Sequence, residues 1–424
     1  MNLRKPVALG LAVALAAGLA ACGSDDTGPV DEAGTVTLTV AAPQADWLEP
    51  LATAFRNDYP EIEVVFAPLA DDPEAARQAL DTADVVTVSD LGQLAEWIQD
   101  KKVLDVTDIA TTVTAEAILA YVQTSADESG AGVQTAYGVP YAQSGWLLFY
   151  NADLFQQAGA AAPDGTWLWT DFVTAAKNLT DKLRPAASGT FLPADPLAVA
   201  GLALAQNGDA SLLSGGDYSF LQAYYQRAVA LSVAGATPDY ADAQQESTAD
   251  VFLAQQAALV LAPASLATTL AAQADFAWGM APVPQRDKLT AGVDKTPVTV
   301  GDPVGCVIPS GIDPSRLDAA KAWLGFIASS KAAVLLAAQG VVPAVADDGV
   351  ANAFWELEGL PTDALSRFAF QTHNIKTTLP LDPKAAEAWE AVAETDQTIR
   401  SAAQADAIEP ALADLTEKIE QIID

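Results

Sequence analysis

The 424-residue chain contains one histidine, His373, and two cysteines, Cys22 and Cys306, against 55 Asp and Glu side chains. A nucleophilic triad needs a base, usually histidine. His373 sits in FQTHNIK, and neither G-x-S-x-G nor H-E-x-x-H occurs anywhere. It is therefore expected to be a surface or structural residue. A Cys306 thiolate would have to work from the apolar context PVGCVIP, which predicts a buried small hydrophobe instead. Zinc-type clusters cannot be assembled from this inventory, and no P-loop or G-x-G-x-x-G is present. No metal and no cofactor is expected.

What the chain does hold is carboxylates, amides and nine tryptophans. Polar groups of this kind orient a hydroxylated solute, and ring faces pack on its C–H faces, contributing roughly 25 cal/mol per Å² buried. Gln44, Asp46 and Trp47 follow one expected strand, in AAPQADW, and Ser89 and Asp90 follow another, in SDL. Trp47 can stack on a solute or staple the start of the next helix. Asp90 can face a solute or cap its helix. Two carboxylates would also suffice for a secreted carbohydrate-active hydrolase, but no distinctive motif pairs two of them.

The elements that must position these groups alternate. TVTLTV (35–40), EIEVVFAP and ADVVTVSD read as strands; residues 46–59, DPEAARQALD and LGQLAEWIQDKK read as helices, with Pro50 and Pro73 in first turns. This order predicts a mostly parallel sheet flanked by helices. The middle is helix-rich, including residues 170–183 with Thr170 as expected N-cap. AALVLA (257–262) and FAWGMAPVP (276–284) read as strands, and residues 296–311 as two strand pieces around a turn at Gly301-Asp302-Pro303. A helix over DPSRLDAAKAWLGFIASS and helices from about Asp382 to Asp424 follow. No linker separates these segments, so two lobes that exchange chain, with a cleft between them, are expected. Ligands of such sheets bind beyond the carboxyl ends of strands and between domains. The stretch GVPYAQSGWLLFYNADLF (138–155) reads as the passage into the second lobe, its polar entrance lining the cleft.

The N-terminus has Arg4 and Lys5, an apolar stretch from Val7 to Ala20, then small residues, the pattern of an export signal. Leu19-Ala20-Ala21-Cys22 resembles the bacterial lipobox, which implies cleavage before Cys22 and its lipidation. GSDDTGPVDEAG then reads as a flexible tether. The net charge is −34; without Arg4 and Lys5, 19 bases face 55 acids, or −36. Such a surface repels nucleic acid and anionic lipid and favours solubility. With 51% hydrophobic residues the chain has ample apolar material for more than one core.

Five stretches, in order, carry a family resemblance: YGVPYAQSGWLLFYNADLFQQAG, APDGTWLWTDFVTAAKNLT, VFLAQQAALVLAPASL, FAWGMAPVPQ and DAAKAWLGFIASSKAAVLLAAQGVVPA. The chain resembles the extracellular solute-binding proteins, family 1, of bacterial ABC importers, the group that contains maltose-binding protein. The resemblance implies a type II periplasmic-binding-protein fold: two α/β lobes, an interlobe cleft and multiple crossovers. It implies a signal at 1–21, a tether at 22–34, one lobe from 35–140 plus about 297–345, and a second from 141–296 plus about 346–424. It implies a monomeric, extracytoplasmic, lipid-anchored receptor, no enzyme, that closes on a mono- or oligosaccharide and delivers it to ABC permease subunits. A polyamine or other small metabolite is the alternative solute, and signalling or adhesion without transport a further alternative. By the same resemblance Tyr141, Gln143, Ser144 and Trp146 lie where the chain crosses between lobes, and Asp90, Asp195, Ser265 and Trp389 join Gln44, Trp47 and Ser89 as solute contacts. Where maltose-binding protein has tryptophans, this sequence has Ala264-Ser265-Leu266, which argues against maltodextrin-like stacking. Asp71, Asp302, Trp355, Trp278, Trp323, Trp167, Trp169, Phe149 and Tyr150 are expected to serve packing.

Overall fold

Short β-branched segments separated by amphipathic helices bury their apolar faces by stacking helices on a sheet. The computed structural model describes residues 34–424 apart from 71, 127–131, 209–211, 214 and 287–295. The export segment, Cys22, nearly all of the tether and Asp71 therefore lie outside the described residues. Strands β1 (Val36–Ala42), β2 (Ile62–Pro68) and β3 (Val85–Val88) alternate with helices Leu48–Asp58, Pro73–Ala79 and Leu91–Gln99. Pro50 and Pro73 occupy first turns, where the missing N–H has no intrahelical partner to lose. A hairpin, β4 (Val122–Ala126) and β5 (Gly132–Ala136), follows. It escaped the sequence reading because VQTSA and GVQTA carry few of the large apolar residues that mark strands. Then come β6 (Val139–Gln143), β7 (Trp146–Asn151), β8 (Leu259–Pro263), β9 (Trp278–Pro282), β10 (Val298–Val300), β11 (Pro303–Val307) and β12 (Asn374–Lys376).

The strands form two main sheets. The first has the order β2-β1-β3-β11-β6; only β11 runs against the rest, so the sheet is mostly parallel. The second, β8-β7-β9, is antiparallel throughout, with the short parallel pair β10-β12 beside it. Along β7 the side chains alternate. Trp146 and Leu148 enter a core with helices Trp169–Leu183, Gln222–Val233 and Lys384–Ala402, while Leu147 and Phe149 enter another with helices Leu266–Gln273 and Asp348–Trp355. Burial on both faces is why Trp-Leu-Leu-Phe-Tyr reads as one apolar run. Around the first sheet, Leu38, Phe55 and Trp323 pack on one face and Val86, Leu94 and Trp97 on the other.

Three details depart from expectation. The strand pieces flanking Gly301 are not one hairpin: β10 belongs beside the second sheet and β11 in the first, so Gly301-Asp302 is a crossing between sheets. Likewise β6 remains in the first sheet through Gln143, and the chain passes over at Ser144-Gly145 rather than after residue 140. Helix Trp169–Leu183 begins before Thr170; the carboxylate of Asp171 accepts the Leu168 N–H at 2.9 Å and does the capping instead. A third crossing follows helix Ser330–Ala338, where the Gln143 N–H donates to the Val342 carbonyl (3.1 Å) and the Ala344 N–H to the Tyr141 carbonyl (3.0 Å).

The crossings touch. A Cβ on Gly301 would lie 2.6 Å from the Ser144 carbonyl oxygen and 3.0 Å from Gly145 Cα. Overpacking a fixed backbone contact of this kind costs about 1–3 kcal/mol. Gly301→Ala is therefore expected to lower the unfolding free energy by about that amount in chemical denaturation, and an unshifted midpoint would contradict the close approach.

Candidate functional site at the seam between the lobes

β3 ends at Val88, opposite Gly305 of β11, and β6 ends at Gln143, opposite Pro303. Ser89-Asp90, Ser144 and Asp302 consequently leave one edge of the first sheet. In the second lobe β7 starts at Trp146 opposite Pro263, which places Ala264-Ser265 at the near edge. Residues 188–191 run parallel to the chain entering β8, through Ser188–Ala257 and Phe191–Val260 bridges, and carry Asp195 towards the same edge. The two sheet edges that bear the sequence-selected residues thus face each other across the crossings.

Several of those residues hold the crossings together. The Gln143 side-chain amide donates to the Gly301 carbonyl at 3.0 Å, and the Ser144 hydroxyl accepts the Ser265 N–H at 2.9 Å. Gln44 and Ser89 are exposed beyond β1 and β3. Trp47 is half-buried, its ring 5.8 Å from that of Tyr141. Trp389 is half-buried, its ring edge 3.6 Å from the place a Cβ of Gly201 would occupy. Two expectations are overturned. Tyr141 is only 5% exposed inside the first core, and Trp146 only 4% exposed inside the second. Tyr141 packs with Leu38, Leu51 and Trp323 and Trp146 with Leu148, Phe172 and Leu261, so both rings are spent on the cores.

Carboxylates converge from both lobes. Asp90 caps helix Leu91–Gln99, accepting the Gln93 N–H at 3.1 Å; Asp195 accepts the Leu197 N–H at 2.8 Å; Asp302 accepts the Thr378 N–H at 2.8 Å. Each therefore spends one oxygen on a backbone donor, local for Asp90 and Asp195 and distant in sequence for Asp302, whereas an ionised carboxylate offers about four lone-pair sites. Burial pushes the Asp302 carboxyl above its usual range; the Thr378 donors oppose this, and the charges of Asp90 and Asp195 add to the rise. The three acids thus share one electrostatic field, with one from the first lobe, one from a crossing and one from the second lobe. Asp195 is raised too, by burial, against the pull of the Leu197 N–H and Arg400. Sequence reading assigned Asp302 to structure; only its tertiary neighbours place it here, since an Asp in a Gly-Asp-Pro turn carries no other signal.

Behind Asp195 lies a buried ion pair. Arg400 meets Asp396 at 3.1 Å, donates to the Leu192 carbonyl at 3.0 Å and stacks over Tyr240 at 4.8 Å. Its guanidinium thus fixes the start of the loop that presents Asp195. Burial raises Asp396 to about 6 although Arg400 opposes it, with Asp195 adding to the rise. Burial also shifts the two groups most often used in covalent chemistry, a thiol and an imidazole. Burial pushes the Cys306 thiol up to about 12. It lowers His373, whose Nδ1 lies 3.0 Å from the Ala369 carbonyl. A cavity of about 10 Å³ between Trp169, Phe172 and Tyr224 lies inside the second lobe and touches none of the seam residues.

Residues 41–334 match the family of bacterial extracellular solute-binding proteins. No curated protein matches the chain. Among solved structures, a sugar transporter from Rhizobium etli in an open conformation is similar with a TM-score of 0.77 and 22% identity, covering 91% of this chain and 99% of that one. An ABC substrate-binding protein from Listeria monocytogenes in complex with cycloalternan gives 0.70 and 16%, covering 91% and 98%. UgpB from Mycobacterium tuberculosis in complex with glycerophosphocholine gives 0.68 and 18%, covering 92% and 99%. At these identities the structures share the fold, which is the two-lobed type II architecture.

The raised Asp396 has a consequence for stability. A carboxyl that binds its proton more tightly when folded stabilises the fold most below its unfolded value of 3.8, and that contribution is lost as pH rises through about 6. The stability of the wild type relative to Asp396→Asn is therefore expected to increase as pH falls from 7 towards 4 in denaturation titrations. Parallel pH profiles for the two proteins would contradict this.

Proposed function

The chain belongs to the bacterial extracellular solute-binding proteins, and from that premise we propose that it is a lipid-anchored receptor that closes on a mono- or oligosaccharide and passes it to an ABC permease. The observation that carries this reading is that Asp90, Asp195 and Asp302 stand at the facing sheet edges, one from each lobe and one from a crossing. Like charges repel, and burial costs Asp195 and Asp302 part of their hydration. A solute bearing several hydroxyl donors offsets both costs at once. Because it contacts both lobes only when they are close, it favours the closed form by its differential affinity. Trp389 and Trp47, half-buried at the seam, offer ring surface for C–H faces. The relatives' ligands support a polyhydroxylated solute: cycloalternan for the Listeria protein, and a sugar transporter's role for the Rhizobium one. Localisation outside the cytoplasmic membrane follows from the export signal and from Cys22 as lipid acceptor.

The three acids also favour a second reading, a cationic solute such as a polyamine. A thermal-shift screen against sugars, polyamines and amino acids separates the two, since a ligand bound only by the folded form raises the midpoint. Sugars are expected to raise it. Silence from sugars with a response to polyamines would transfer the function to the second reading, and oligosaccharide cleavage would replace both with a hydrolase. Asp90→Asn keeps an equally good helix cap but removes the charge. It is expected to weaken the solute roughly 10- to 100-fold, as losing a hydrogen bond to a charged group does. Unchanged affinity in titration calorimetry would take Asp90 out of the site.

A further inference from the structure

The receptor reading requires the lobes to approach, and the place where they touch is specified by a residue with no side chain. Gly92 is the second residue of helix Leu91–Gln99, buried, in the first lobe. Facing it is Ala386, near the start of helix Lys384–Ala402 in the second lobe. A Cβ on Gly92 would lie 2.9 Å from Ala386 Cβ and 3.3 Å from Ala386 N. Cβ atoms do not approach so closely, and neither opposing atom is the end of a flexible side chain that can swing aside.

Within its own helix a Cβ would meet only the capping oxygen Asp90 Oδ1, at 3.2 Å, a longer approach than that to Ala386 Cβ. The φ of Gly92 is not among the left-handed ones, so the backbone accepts any residue there. In a helix, glycine is about 0.8–1.0 kcal/mol less favourable than alanine. The approach of the other lobe is what the missing side chain permits. The contact stands at the solute edge: Asp90 lies two residues before Gly92 and Trp389 three residues after Ala386. The segment leading into Ala386 bridges the lobes independently, because Leu379 packs against the cores of both and the Thr378 N–H is bound to Asp302.

We propose that Gly92 is a specificity-determining residue: by lacking a side chain it lets the two helix N-termini meet, and so sets the spacing between Asp90 and Trp389 and the size of solute held between them. The proposal rests on the receptor reading for its solute, but the steric contact is measurable without one. Spin labels on cysteines replacing the exposed Gln99 and Glu390 report the separation of the lobes by pulsed electron resonance. In solute-free protein, Gly92→Val is expected to lengthen that distance and Gly92→Ala to lengthen it less. Adding Ala386→Gly to Gly92→Ala is expected to restore the wild-type distribution. Valine is no worse a helix former than glycine, so any fall in the solute-free denaturation midpoint reports the crowded contact with Ala386 and not lost helix propensity. Affinity for the compound giving the largest thermal shift is expected to fall about tenfold or more in Gly92→Val, equivalent to ~1.4 kcal/mol of overpacking.

Identical distance distributions in all of these proteins would overturn the proposal, whatever the chain binds. So would lengthened distances with undiminished affinity. Should Gly92→Val fail to fold, the alanine variant and its Ala386→Gly rescue decide the matter. Lengthened distances in a protein that no compound stabilises would uphold the contact and fail the receptor reading instead.

Discussion

Three chain segments cross between the two sheets within contact distance of one another, and the rest of the structure is arranged around that constraint. Gly301 and Gly145 are packed so closely that a side chain on Gly301 would meet the Ser144 carbonyl, and one on Gly145 would come 3.0 Å from Ile375. Gln143 then ties all three passages, with its amide on Gly301 and its backbone N–H on Val342. Rotation of one lobe against the other must be absorbed by the dihedrals of these few residues, because the sheets on either side are fully packed. Helix Ser330–Ala338 narrows the allowed motion further: it gives Ala332 and Leu336 to the core around Leu38 and Phe55, and Ala333 and Ala337 to the core on the Leu147 and Phe149 face of the second sheet.

The charge distribution follows the same geometry. A chain with a large acidic excess places most of its carboxylates in water, where they cost little. Asp84, buried at the far end of β3, is answered by Arg316 at 3.0 Å, whereas the carboxyls raised by burial, Asp302, Asp195 and Asp396, lie at or just behind the seam. Backbone N–H donors and a single guanidinium, that of Arg400, offset part of the desolvation. The seam is therefore the place where hydrogen-bond acceptors are concentrated and incompletely answered from within the protein.

Much of the fold was legible along the chain. β1 to β3 and their helices stand out because apolar residues recur at the periods that strands and amphipathic helices impose. The hairpin β4–β5 does not stand out, since its small polar residues form a ladder through the backbone alone. Of the candidate site, Asp90 and Asp195 were recognisable from position after an element or within a family-like stretch. Tyr141 and Trp146 misled, because residue type says what a side chain can do and strand register decides which way it faces. Asp302 passed for a turn residue: its distinguishing neighbours, Thr378, Asp90 and Asp195, are all distant in sequence.

Sequence by itself determined the classes of element, the single histidine and two cysteines, and the supply of acids and aromatic rings, since these depend on composition and local period. Only the tertiary structure decided that β10 and β11 part into different sheets, that Gly92 meets Ala386, and that three separated carboxylates share one field. Each of those facts is a distance between residues far apart in the chain, and such distances are set by the packing of whole lobes rather than by any stretch of sequence.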